Sequence, residues 1–310
     1  MAAKSIVASL DAPLTSRPQV AATTLLSDYW ALTKPEVNFL IVITTFVGFY
    51  LGNAALRQGF PLLLVINAVF GTLLVASGTG TLNQYIERDF DAQMRRTARR
   101  PLAAGRLKPS AVLWFGVALS VGGSIYLALT VNVLASLLAL ATLLSYLFLY
   151  TPLKRKTPLC TLVGAFPGAM PPLIGWTAAY GRITFEAWIL YAVLFLWQFP
   201  HFMAIAWMYR EDYDRAGYLV LPRGSRARLS FVNRQTLLPL LALLTLGVLP
   251  GLAGRSSIFY SVGSSLLSLG FLYYGVLFVI RRTTSTARRL LAASILYLPL
   301  LFVLMLLLKG

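Results

Sequence analysis

Residues 83 to 100 read Asn83-Gln84-Tyr85-Ile86-Glu87-Arg88-Asp89-Phe90-Asp91-Ala92-Gln93-Met94-Arg95-Arg96-Thr97-Ala98-Arg99-Arg100. They hold the sharpest change of chemistry in the chain. An apolar run ends at Leu82, and an amide, three carboxylates and a burst of arginines follow. If the helix of the apolar run continues, Asn83, Glu87 and Asp91 fall at i, i+4 and i+8, within an arc of roughly 80°. One amide oxygen and two carboxylates on one face form a hard-oxygen donor set. Such donors suit Mg²⁺, which takes one or two carboxylates and completes its shell with water and substrate phosphate. Asp89 points to another side and ranks below Asp91.

Around this stretch the chain is oily. Of 310 residues, 58% are hydrophobic and 12% charged, and the mean hydropathy is +0.73. That composition fits a polytopic membrane protein and not a soluble domain. Nine spans of about 20 residues are expected, over 37–55, 62–84, 111–129, 132–150, 159–179, 186–208, 236–254, 259–280 and 289–308. The net charge of +17 lies in the short connections between spans, which argues against nucleic acid. With the N-terminus inside, 23 Lys and Arg fall on one side and Arg57, Arg182, Arg255 and Lys309 on the other. That asymmetry follows the positive-inside rule and puts the C-terminus outside. Residues 1–30, rich in Ser, Thr and Ala, read as a flexible cytoplasmic tail, and 31–310 as one intramembrane domain. A bacterial inner membrane is the simpler address; an organellar inner membrane stays open. The single Cys160 excludes an intrachain disulfide, and the single His201 excludes a multi-histidine metal site.

More than half of the ten acidic residues lie in two clusters, Glu87-Asp89-Asp91 after the second span and Glu211-Asp212-Asp214 after the sixth. Both are expected at the same, arginine-rich face. The four-span offset suggests two parallel halves with a ninth span appended. Paired carboxylate clusters ringed by cations fit a diphosphate carried by Mg²⁺, with Arg88 and Arg95 among the residues to clamp its oxygens. A lipid-soluble substrate with such a head is a polyprenyl diphosphate. The competing reading is a set of solvated ion pairs worth about 0–1 kcal/mol each. A lipid transporter would place its ionisable residues near the bilayer midplane, and an assembly subunit needs no such clusters.

Asn83-xxx-Glu87-xxx-Asp91 resembles the first aspartate-rich motif of the UbiA superfamily of intramembrane prenyltransferases. Tyr150-Thr151-Pro152-Leu153-Lys154-Arg155-Lys156-Thr157, the small-residue run Gly164 to Trp176, and Trp197-Gln198-Phe199-Pro200-His201-Phe202 with Asp212-Tyr213 and Ala216-Gly217-Tyr218 are similar to the branch that prenylates heme. The resemblance covers nearly the whole chain after about residue 30. It implies an all-α fold of nine transmembrane helices around a central cavity, with farnesyl diphosphate as donor and protoheme IX as acceptor. The implied product is heme O, passed on to heme A synthase or terminal oxidase assembly partners; membrane lipids surround the protein. Prenylation of an aromatic ring, as in quinone or chlorophyll synthesis, is the alternative within the superfamily. Carried over, Asn83, Glu87, Asp91 and Asp212 would hold Mg²⁺ on the diphosphate, and Lys154 and Arg155 would lie near the phosphates. Glu87 stands where the pattern reads Asp, and Ala216 stands four residues past Asp212, so the second motif would need Glu211 or Asp214. Glu36 stands where Arg is expected, and nothing is read from Lys34.

His201 follows Pro200 inside an apolar span. An ionisable residue there is a functional candidate by default. It could ligate heme iron, move a proton during vinyl hydration, or satisfy backbone groups freed by Pro200, whose missing donor would break the helix and expose a carbonyl near position 196. Gln198 could meet a heme propionate or the same backbone. The prolines at 167, 171 and 172 could open room for a flat macrocycle, or the small residues there could serve close helix packing.

Overall fold

Helix α3 (Leu62–Asp91) has 30 residues. At 1.5 Å per residue it measures about 45 Å, well over the ~30 Å of hydrocarbon it has to cross. The surplus is its polar C-terminal end, so Asn83, Glu87 and Asp91 ride on regular helix. The computed structural model describes residues 24–56, 59–252 and 257–308, and their regular structure is all helical. The tail expected over 1–30 lies outside the described residues up to 23; its last residues begin helix α1 (Leu25–Leu32).

The remaining helices are α2 (Pro35–Leu56), α4 (Pro109–Thr130), α5 (Val133–Leu144), α6 (Thr151–Leu153), α7 (Cys160–Gly168), α8 (Met170–Tyr180), α9 (Phe185–Met208), α10 (Arg210–Arg215), α11 (Ser225–Leu252), α12 (Ile258–Arg281) and α13 (Thr284–Leu308). A π-helical turn, Ser145–Tyr150, joins α5 to α6. Eight helical stretches among the described residues are long and apolar enough to cross a membrane. Large apolar side chains such as Phe39, Leu63, Phe148 and Leu266 are exposed on their outer faces, as lipid contact requires.

The ninth crossing, expected over 159–179, is broken at Ala169 into α7 and α8. Pro167, Pro171 and Pro172 each lack a donor, and three such gaps within six residues interrupt the helical ladder. The α11 and α13 helices begin well before the expected spans at 236 and 289. Hydropathy marks where a helix enters lipid, not where its hydrogen bonding starts. At Pro200 the expected break does not occur: α9 runs unbroken from Phe185 to Met208. Its flanking residues Trp197, Met203 and Ala204 are buried among neighbouring helices, which hold both turns in line despite the missing bond.

Helices α2 and α8 cross in backbone contact. A side chain at Gly48 would strike the Pro172 carbonyl, and one at Gly175 the Thr45 carbonyl. Small residues at a crossing permit this approach. Short α1 exposes Leu25, Leu26 and Trp30 and buries Asp28 and Leu32. Asp28 is gripped by Arg106 at 2.9–3.0 Å, from the loop after α3, and Gln84 Nε2 donates to the Leu32 carbonyl at 3.0 Å. These bonds dock α1 against the polar end of α3 and set the position of Lys34.

Candidate active site

Asn83, Glu87 and Asp91 share one face of α3 and are buried, with exposures of 1%, 5% and 1%. Each faces its own cation. Lys34 Nζ donates to Asn83 Oδ1 at 2.7 Å. Lys154 Nζ donates to Glu87 Oε1 and Oε2 at 2.8 and 3.0 Å. Arg100 Nη1 donates to Asp91 Oδ2 at 2.7 Å. Asn83 Nδ2 links the row by donating to Glu87 Oε2 at 3.0 Å and to Thr151 Oγ1 at 3.2 Å. The longer side chain of Glu87, where an aspartate is expected, lets one carboxylate take bonds from both Lys154 and Asn83.

Three local structures deliver the cations. Lys34 sits between α1 and α2 in the left-handed region, φ +55°. For a non-glycine residue that conformation costs about 1–3 kcal/mol and is kept where the surroundings fix it. Lys154 follows the π-helical turn, a distortion common at functional sites. That turn puts the Tyr150 ring under the Lys154 ammonium, 4.6 Å from centroid to Nζ. Arg100 is carried by tight turns after α3, pinned where Thr97 Oγ1 donates to the Asp91 carbonyl at 2.9 Å.

Burial, with help from the Arg100 and Lys154 charges, pulls the Lys34 ammonium down to about 7. Burial alone would lower Lys154 too, but the Glu87 carboxylate against it holds that ammonium well above the usual lysine range. Three basic side chains thus face two carboxylates, and the surplus positive charge suits an anion.

The second acidic cluster meets the first at the same end of the bundle. Phe90 and Met94 pack with Tyr213, Ala216 and Tyr218, and Leu219 N donates to the Lys154 carbonyl at 2.6 Å. The Tyr218 hydroxyl is buried near Glu87 and has no hydrogen-bond partner among the described residues. Asp212 is 8% exposed and pairs with Arg215 at 3.1 Å. Glu211 and Asp214 are exposed and pair with Arg210 and Arg228, at 3.6 and 3.4 Å. Among the described residues no three carboxylates, histidines or cysteines form one metal-binding group, so Asp212 does not join Glu87 and Asp91 in such a set.

The other expected residues divide. Arg88 folds back on its own helix, Nη1 donating to the Tyr85 carbonyl at 2.8 Å, and does not reach the carboxylate row. Arg95 is exposed, with no ion pair among the described residues. Arg155 stacks over the Phe90 ring at 4.2 Å, beside the row. Gln198 is buried on α9, its Nε2 donating to the Ala165 and Leu194 carbonyls at 3.1 Å each. His201, three residues on, turns toward α13. Lys34 and Arg100 are the members the sequence did not single out. Lys34-Pro35 at the mouth of a span was its one local signal, and Arg100 was one of four indistinguishable arginines.

One oxygen of the donor set is left open to a divalent cation. Asp91 Oδ1 is buried with no hydrogen-bond partner among the described residues, a costly arrangement that a bound cation or water would relieve. Asn83 Oδ1 and both Glu87 oxygens already accept from lysines.

The sequence pattern of the UbiA prenyltransferase family matches residues 41–306. The chain is 48% identical to the protoheme IX farnesyltransferase of Solibacter usitatus (strain Ellin6076), over 91% of this chain and 98% of that protein. It is 43% identical to the enzyme of the same name from Koribacter versatilis (strain Ellin345), over 94% and 95%. The fold is similar to a digeranylgeranylglyceryl phosphate synthase (TM-score 0.71, 19% identity, 91% of this chain and 97% of that one). It is also similar to a UbiA homolog from Archaeoglobus fulgidus bound to GPP and Mg²⁺ (TM-score 0.60, 13% identity, 90% and 99%). With its all-helical membrane fold and its asparagine–carboxylate row, the chain belongs to the UbiA prenyltransferase family.

Proposed function

We propose that this protein transfers a farnesyl group from farnesyl diphosphate to a vinyl group of protoheme IX, with addition of water, to give heme O and diphosphate. The observation that carries this reading is the near full-length identity to relatives named protoheme IX farnesyltransferase, joined to a buried row of cations and acceptors fit for a diphosphate.

In this reading Asn83, Glu87 and Asp91 of α3 would hold one Mg²⁺ on the diphosphate, and Asp212 of α10, which stands apart from that set, would hold a second. When bound, the metal would supply positive charge against the negative charge that grows on the leaving oxygens. Lys34, Lys154 and Arg100 turn from the carboxyl row to the phosphate oxygens as charge-assisted donors. The allylic C–O bond breaks and its electron pair leaves with the diphosphate. The vinyl π-electrons then form the new C–C bond to the allylic carbon. Water adds to the resulting cation next to the macrocycle and loses a proton, leaving a hydroxyethylfarnesyl group. Apolar helix faces keep bulk water from the allylic cation until the acceptor has attacked.

The arginine-rich face is then cytoplasmic, the membrane a bacterial inner membrane, and heme A synthase or terminal oxidase assembly the recipient of the product. The test is to incubate the purified protein with heme, farnesyl diphosphate and Mg²⁺. A heme heavier by one farnesyl and one hydroxyl is expected by mass spectrometry; unchanged heme, with farnesylation of a quinone precursor supplied in a parallel reaction, would overturn the reading.

A further inference from the structure

Away from the carboxylate row, one serine joins two helices. His201 Nδ1 on α9 lies 2.8 Å from Ser294 Oγ on α13. That hydroxyl has a single proton, and Ser294 Oγ also lies 2.6 Å from the Leu291 carbonyl oxygen, which can only accept. The serine proton is therefore committed to Leu291, and Ser294 Oγ must accept from the histidine. Nδ1 carries the hydrogen. No carboxylate pairs with the ring among the described residues, and in the neutral ring with hydrogen on Nδ1 the lone pair is on Nε2.

The ring is held from other sides as well. The Ser294 carbonyl accepts from Trp197 Nε1 at 2.8 Å. The Trp197 ring in turn stacks on His201, with centroids 4.7 Å apart and planes at 27°. Phe202 meets the imidazole edge-on at 5.7 Å. Ser294 is fully buried, whereas His201 is partly exposed and makes no hydrogen bond through Nε2 among the described residues. A second hydrogen bond that fixes tautomer and ring orientation is the usual support of a metal-bound histidine, and a neutral imidazole nitrogen is a common axial ligand of porphyrin iron.

We propose that Ser294 is a positioning residue which holds His201 as its Nδ1–H tautomer, so that Nε2 ligates the iron of the porphyrin acceptor. The inference rests on the reading of the protein as a heme prenyltransferase, and its tests separate the two. His201 is the sole histidine of the chain, so ¹⁵N-histidine labelling gives one pair of ring resonances. Without porphyrin, a protonated Nδ1 and a bare Nε2 are expected; the opposite tautomer, or an imidazolium, overturns the proposal.

The second test titrates wild type, Ser294→Ala and His201→Ala with iron(III) protoporphyrin IX and with metal-free protoporphyrin IX. Wild type is expected to prefer the iron form and to show an imidazole-ligated spectrum. His201→Ala should lose both, and added imidazole should restore the spectrum. Ser294→Ala should weaken iron porphyrin by about tenfold, the low end for loss of such a supporting hydrogen bond, and leave metal-free porphyrin unchanged. Wild-type spectrum and affinity in Ser294→Ala, or an imidazole-type spectrum surviving in His201→Ala, overturns the proposal. Unaltered porphyrin spectra with slowed turnover would make His201 a proton carrier instead. Failure of wild type to bind either porphyrin would overturn the heme prenyltransferase reading itself.

Discussion

Replacing Lys154 by Met separates the stability of the site from its chemistry. The Lys154 and Glu87 side chains are 13% and 7% exposed, at 2.8 Å from each other. Removing one partner of such a pair leaves a buried charge and costs about 3–5 kcal/mol. Asn83 still donates to Glu87 in the variant, so the low end applies. For 310 residues at about 2.1 cal/mol/K each, a loss of about 3 kcal/mol corresponds to a fall in melting temperature of roughly 5 °C. The chain provides its own reporter: Cys160 is its single cysteine and is 1% exposed, so a thiol-reactive fluorophore in detergent reads unfolding directly. In Lys154→Met/Glu87→Gln both charges are gone, and melting should return to within about 1 kcal/mol of wild type. Prenyl transfer should be lost in both variants. An unshifted melting curve in Lys154→Met would refute the buried pair, and wild-type turnover in the double variant would remove both residues from the diphosphate site.

Further expectations concern Lys34, the helix crossing and Asp89. Lys34→Gly relieves the left-handed backbone, so melting should hold or rise by about 1 kcal/mol, while loss of one charged hydrogen bond should weaken prenyl diphosphate binding by about 1.5–3 kcal/mol; titration by fluorescence quenching checks both affinity and its pH dependence. Because an anion favours charged Lys34, and its ammonium is held near 7, diphosphate affinity without divalent cation should be full below that pH and fall by up to about tenfold per unit above it; Lys34→Gly should abolish that slope. Gly48→Val drives a side chain into the Pro172 carbonyl, an overpacking cost of about 1–3 kcal/mol or more, seen as loss of the monodisperse peak in size-exclusion chromatography. Asp89, 75% exposed at its side chain, points away from the row, so Asp89→Asn should leave turnover unchanged.

The carboxylate face was legible in the sequence because helical geometry fixes it locally: once α3 runs to Asp91, spacing alone aligns Asn83, Glu87 and Asp91. The membrane fold was legible because lipid imposes long apolar helices. The cations were harder. Lys34 lies 49 residues from Asn83, and its place depends on how α1 docks through Asp28 and Arg106. Arg100 outranks Arg95, Arg96 and Arg99 only through the turns that follow α3. The span expected over 159–179 is interrupted at its prolines 167, 171 and 172, whereas Pro200 did not break α9, because tertiary packing around that helix outweighs one missing hydrogen bond. Ser294 gave no signal, since a lone serine in an apolar span acquires meaning only from the ring it faces.

The measurement closest to the core of the account is calorimetric binding of a non-reactive farnesyl thiolodiphosphate to wild type, Asp91→Asn and Asp212→Asn, each with and without Mg²⁺. The account predicts binding to wild type that is strengthened by Mg²⁺, with the Mg²⁺ effect lost in Asp91→Asn and reduced in Asp212→Asn while the Cys160 melting curve persists. Equal, Mg²⁺-independent affinity in all three proteins would contradict it.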